Sequence, residues 1–117
     1  MRRALVVDDH PSFRRCARAL LVEEGFEVVG EAEDGASALA LAAELNPDLV
    51  LLDVQLPDID GFEVASRLLA LEREWRIVLV SSRDASAYGS LIKASGAHAF
   101  IYKSELSGAM LRAYWDE

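Results

Sequence analysis

A chain of 117 residues, 52% apolar and 27% charged, is long enough to bury one core without disulfide or metal staples, and it contains no internal repeat or low-complexity stretch. Twenty acidic against twelve basic residues leave a formal net charge of −8, which disfavours direct contact with nucleic acid. No apolar run approaches the roughly 18 residues of a membrane helix, and the basic N-terminal pair precedes an apolar stretch too short for a signal peptide, so no membrane association and a cytoplasmic location are expected.

Residues 4–7, "ALVV", form the first of four short runs rich in valine, leucine and isoleucine; the others are 49–52, 77–80 and 99–102. None alternates apolar with polar residues, the pattern of strands buried on both faces. The first run ends in adjacent aspartates, Asp8 and Asp9, whose mutual repulsion and desolvation beside an apolar core call for compensation. Pro11 then suits the first turn of a helix and Gly25 its end, bracketing apolar Phe13, Ala17, Leu20 and Leu21. On that helix the single Cys16, with no partner for a disulfide or a zinc motif, reads as a plain face residue.

The segment "FEVVGE" at 26–31 reads as an edge strand, and Asp34 caps a second helix over 35–45 that Asn46 and Pro47 end. Asp53 closes the strand at 49–52, and Asp60 with Glu63 three residues on resembles a capping box that opens helix three. Strand four ends in Ser81 and Ser82. The helix expected over 84–95 contains Ser86, Gly89 and Ser90, and because an interior glycine costs about 1 kcal/mol relative to alanine it is expected to be the most mobile helix. Strand five ends in Lys103, and a last helix begins near Ser104 or Ser107.

Five strands alternating with five helices predict an α/β fold, a doubly wound parallel sheet with helices on both faces and ligands at the carboxyl ends of its strands. Four of the five strands deliver polar groups to that edge: Asp8 and Asp9, Asp53, Ser81 and Ser82, and Lys103. Taken singly, Asp9 or Asp53 is as well read as a turn residue, Ser81 as structural and Lys103 as a solvated charge. Taken together, three carboxylates on one rim demand a cation, and a hard divalent ion such as magnesium, which also binds phosphate oxygens, meets the demand. An aspartate can itself be the nucleophile that forms an acyl phosphate. Asp8 and Asp9 would then position the metal, Asp53 would be ligand and nucleophile, and Lys103 with Ser81 would bind phosphoryl oxygens.

Along essentially its whole length the chain resembles the receiver domains of two-component response regulators. The residues that carry the resemblance are "VVDDHP" at 6–11, "DLVLLDVQLPDIDGFEV" at 48–64, "VLVSS" at 78–82 and "GAHAFIYKS" at 96–104. The resemblance implies a single receiver domain over 1–117, a flavodoxin-like strand order 2-1-3-4-5, and transfer of a phosphoryl group from a histidine kinase's phosphohistidine to Asp53. It further implies magnesium or manganese held by Asp9, Asp53 and the backbone carbonyl of Gln55, with Asp8 acting through water. Ser81 and Phe100 would be the switch pair reshaping the face of helix four, strand five and helix five. Gln55 and Arg83 would tune the lifetime of the acyl phosphate, and small Ser82 would leave the phosphoryl route open.

Upstream the resemblance implies a sensor histidine kinase or phosphotransfer protein, and downstream an effector domain or protein, with a homodimer on phosphorylation as one option. "DDHP" and "KS" are similar to the NarL-type branch, whose receivers usually precede a helix-turn-helix domain; no such DNA-binding effector domain is read in this chain. Ser104 stands where many relatives have proline, which argues against a cis bond after Lys103, since a non-proline cis peptide costs about 2.5–4 kcal/mol.

Two rival readings remain in view. A magnesium phosphatase with an aspartyl nucleophile usually carries a second acid two residues after it, where this chain has Gln55. A receiver-like interaction module that no longer uses phosphate would be marked by loss of an acid, the hydroxyl or the lysine, all of which are present. His10 and His98 read as loop residues, and Tyr114 and Trp115 as packing either on a partner or on their own domain.

Overall fold

The computed structural model describes the backbone of residues 1–115 and the side chains of residues 1–113. Five strands, β1 Arg2–Val7, β2 Phe26–Ala32, β3 Leu49–Asp53, β4 Arg76–Ser81 and β5 Ala99–Tyr102, form one sheet in the order β2-β1-β3-β4-β5, with every pairing parallel. Helices α1 Pro11–Glu23, α2 Gly35–Leu45, α3 Gly61–Leu69, α4 Leu91–Ser95 and α5 Gly108–Trp115 connect and follow them. The predicted order and architecture are therefore the ones found.

Burial explains why the strands do not alternate. Leu5, Val7, Val50, Leu52, Ile77 and Leu79 pack toward Ala38, Ala42, Val64, Ala65 and Leu68 of α2 and α3. The intervening Ala4, Val6, Leu49, Leu51, Val78, Val80 and Ile101 pack toward Ala17, Leu21 and Leu111 of α1 and α5. Successive side chains enter opposite cores, so both must be apolar. β2, as expected, lies at an edge, with Glu27 exposed.

Most helix punctuation works as read. Pro11 is the first residue of α1, the Asp34 carboxylate accepts the Ser37 N–H at 2.8 Å, and Asn46 ends α2 in the left-handed region. The capping box at α3 is half formed: Asp60 accepts the Glu63 N–H at 2.8 Å, while the Glu63 carboxylate pairs with Arg67 at 2.9 Å. Ser107 Oγ accepts the Met110 N–H at 3.2 Å, so of the two predicted starts for α5 the later one is used.

Helix four departs from expectation. In place of one helix over 84–95 the chain makes a 3-10 turn, Ala85–Ala87, and then a helix of five residues, Leu91–Ser95. Gly89 at φ +56° lies between them, a backbone conformation that breaks the helical path. A second 3-10 turn, Lys103–Glu105, follows β5, and the Lys103–Ser104 peptide is trans. The readings of the Tyr114 and Trp115 side chains lie outside the described residues.

No helix among the described residues is long and apolar enough to cross a membrane.

Candidate functional site

The order of strands reverses between β1 and β3, and in such sheets the crevice beyond their carboxyl ends is where ligands bind. Asp8 directly follows β1, and its N–H is tied to the Ala32 carbonyl at 3.0 Å; Asp53 is the last residue of β3, and the next N–H, of Val54, donates to the Val80 carbonyl at 3.0 Å. The ladder thus fixes the backbone under both carboxylates. Gly61, at the start of α3, packs so closely that a Cβ there would collide with the Asp53 carbonyl oxygen. Only glycine lets α3 begin against the strand end.

Asp8 is fully buried and Asp53 is 2% exposed. The Lys103 ammonium reaches both, 2.6 Å from Asp8 Oδ2 and 3.4 Å from Asp53 Oδ2. It also lies 4.5 Å from the centroid of the Phe13 ring, whose face favours a cation. Asp53 accepts the Gln55 N–H at 3.2 Å. Burial and the neighbouring Asp8 charge push the Asp53 carboxyl up to about 6, against the opposing pull of Lys103 and the Gln55 N–H.

Asp9 is exposed at the mouth. His10 is exposed too, as a loop residue should be, yet its Nδ1 sits 3.1 Å from Asp8 Oδ1 and 3.0 Å from Asp9 Oδ1. Ligand atoms of Asp8, Asp9, His10 and Asp53 all lie within 4.8 Å of one another. Asp8 Oδ2 is buried, and among the described residues no hydrogen-bond donor is aligned on it beyond its ion pair with Lys103. Three carboxylates facing one ammonium leave excess negative charge and hard oxygen donors, a set that fits Mg2+ or Mn2+.

The remaining predicted residues are arranged differently. Ser81 is buried, but its Oγ hydrogen-bonds the Tyr88 hydroxyl at 2.6 Å and accepts the Arg83 N–H at 3.0 Å, with no hydrogen bond among the described residues to Asp53 or Lys103. Phe100 is half-buried, and its ring meets Tyr88 edge-on at 5.8 Å. Gln55, Ser82 and Arg83 are exposed. His98 is structural: its Nδ1 accepts the Ile77 N–H at 3.0 Å, holding the entry to β5 against β4.

Three further side chains, Phe13, Asp58 and Tyr88, have roles that the sequence pattern does not reveal. The sequence marks Phe13 only as helix core, and no local pattern singles out Asp58, whose carboxylate accepts the Gly35 and Ala36 N–H groups at 2.7 and 2.9 Å, tying the loop after β3 to the start of α2. Those bonds hold the Asp58 carboxyl below its ordinary range. Tyr88 had one available signal, as the one aromatic residue in the small and polar stretch "SSRDASAYGS".

A family model for the response regulator receiver domain matches residues 4–114. BvgA of Bordetella pertussis, named as a transcription regulator of virulence factors, is 39% identical over 103 residues, 88% of this chain and 49% of that protein. The solved signal receiver domain of NarL from Mycobacterium tuberculosis is 37% identical with a TM-score of 0.86, covering 98% of this chain and 97% of that one. A chain of the CheX–CheY–BeF3–Mg2+ complex from Borrelia burgdorferi is 25% identical with a TM-score of 0.85, covering 97% of this chain and 86% of that one. The chain spans about half the length of the curated relatives it matches.

Proposed function

The chain belongs to the response regulator receiver domain family, and on that premise we propose that it takes a phosphoryl group from a phosphohistidine onto Asp53 and relays the change to an effector. The observation that supports this most is the buried Asp53 carboxylate at the strand-order reversal, flanked by Lys103 and by two further acids. With its carboxyl at about 6, Asp53 is mostly ionised at neutral pH, so a nucleophilic oxygen is available.

In the transfer, an Asp53 oxygen forms the new O–P bond as the N–P bond of the phosphohistidine breaks, and the imidazole leaves with the electron pair and takes up a proton. Lys103 balances charge on the phosphoryl oxygens. Asp8, Asp9, Asp53 and the Gln55 carbonyl would hold Mg2+ or Mn2+, which supplies further positive charge at those oxygens. Gln55 and Arg83, exposed at the rim, are positioned in this reading to affect hydrolysis of the acyl phosphate, and small Ser82 leaves the approach open. Ser81 then turns to the phosphoryl oxygens and Phe100 follows inward, changing the face made by α4, β5 and α5.

Residues 1–117 act as one phosphoacceptor module in a signalling role, not as a turnover enzyme. The upstream partner is a sensor histidine kinase or a phosphotransfer protein. The downstream partner is an effector, and likeness to BvgA and NarL points to transcription as its output.

Intact mass after incubation with acetyl phosphate tests the reading. The expected result is a gain of one phosphoryl group that needs Mg2+ and is absent in Asp53→Asn. If the wild-type chain gains no phosphoryl group and binds no beryllofluoride, the reading fails, and a phosphate-independent interaction module takes its place.

A further inference from the structure

Ser81 Oγ has one proton to donate and two lone pairs to offer. It accepts the Arg83 N–H at 3.0 Å and is joined to the Tyr88 hydroxyl at 2.6 Å, so both of its hydrogen bonds lead toward the segment after β4 and away from Asp53. That segment is weakly attached. Over residues 82–91 every side chain except Tyr88 is exposed, and Gly89 at φ +56° has nothing within 4 Å of where a Cβ would stand. Tyr88 is thus the anchor of the segment, held edge-on between Phe62 at 5.2 Å and Phe100 at 5.8 Å with its hydroxyl on Ser81.

We propose that Tyr88 is a positioning residue that holds Ser81 in the resting state, its hydroxyl competing with a phosphoryl oxygen on Asp53 for the same Ser81 Oγ. The proposal rests on the phosphoacceptor reading above. When Ser81 turns toward Asp53 the Tyr88 hydroxyl loses its partner. Being half-buried beside an exposed segment, it can exchange that partner for water at modest cost. The loop that carries Tyr88 then loses its tie to Ser81 while the ring still touches Phe62 at the head of α3 and Phe100 in β5, so one hydrogen bond links the pocket to three elements. Phe100 has no hydroxyl of its own, and on this account the polar link in the switch comes from the loop.

The test titrates beryllofluoride in saturating Mg2+ against the wild-type chain, Tyr88→Phe, Ser81→Ala and the double variant, reading affinity by isothermal calorimetry. Losing one neutral hydrogen bond from the resting state should tighten beryllofluoride binding in Tyr88→Phe by about three- to tenfold. In the Ser81→Ala background the same substitution should change nothing, because the competition has no object. Equal or weaker binding by Tyr88→Phe overturns the proposal, as does an equal gain in the Ser81→Ala background, which would be a packing effect.

A wild-type chain that binds no beryllofluoride would instead sink the phosphoacceptor reading itself. Should Tyr88→Phe unfold, the unmutated chain still decides: with tyrosine 13C-labelled at Cζ, the Tyr88 resonance should move on adding Mg2+ and beryllofluoride, and a stationary resonance refutes the exchange of partners.

Discussion

The two halves of the carboxyl edge are built in opposite ways. At the ends of β1 and β3 the backbone is locked into the ladder, α3 begins in van der Waals contact with the strand end through Gly61, and Asp8 and Asp53 are almost wholly buried around Lys103. After β4, a turn follows that edge and a five-residue helix packs beside α3, with a run of exposed side chains and a single aromatic anchor. A group that must meet a phosphoryl donor in one geometry belongs on rigid elements, and a group that must report the change belongs where rearrangement costs little. The contrast is therefore one of division of labour, and energetics can break it.

The largest effect should come from the rigid half. Lys103→Met keeps the aliphatic stem beside Phe13 but leaves two buried carboxylates without their cation, and should cost about 3 kcal/mol of stability at pH 7.5 without divalent metal. Urea unfolding measures it, and millimolar Mg2+ should restore part of the loss by binding the folded state. A cost near zero would mean that the pocket is not held under electrostatic tension.

Asp53→Asn should act in the opposite direction. Folding raises the Asp53 carboxyl from 3.8 to about 6, so the folded chain binds that proton more tightly than the unfolded chain. The stability from that proton is fully present below about pH 3.8 and is lost as pH rises through about 6. At pH 7.5 without metal the ionised Asp53 weighs against folding, and Asp53→Asn should be more stable by on the order of 2 kcal/mol. The gap should close on acidification to pH 4. Wild-type and variant curves that run parallel across pH 4–7.5 would place the strain elsewhere.

The more exposed half should respond less. Gly89→Ala meets no steric obstacle but must adopt φ +56°, and should cost about 1 kcal/mol without altering Mg2+ affinity in calorimetry. Leu91→Ala removes a side chain that is 53% exposed and should stay within about 0.5 kcal/mol. If thermal unfolding finds Leu91→Ala as costly as a core truncation, α4 is packed more firmly than its exposure suggests.

Much of the fold is legible in the sequence because the responsible signals are local. Unbroken runs such as 49–52 mark strands buried on both faces, and Pro11, Asp34 and Asn46 act on their own helix ends through one or two backbone bonds. The acids and Lys103 are legible for a related reason: a charge at the end of an apolar run sits at the end of a strand, and parallel strands bring those ends together. Helix four is shorter than the sequence suggests because Gly89 turns the backbone and the exposed residues around it give 84–90 no helical face to bury.

The chain by itself determined the five strands, the helix caps, and the set of charged groups that a parallel sheet must collect at one edge. Only the tertiary structure decided how those groups share their partners. It set Lys103 nearer Asp8 than Asp53, turned His10 Nδ1 onto the acid pair, and gave the Ser81 hydroxyl to Tyr88. Side-chain pairing depends on differences of an ångström between elements distant in sequence, and no local periodicity encodes such distances.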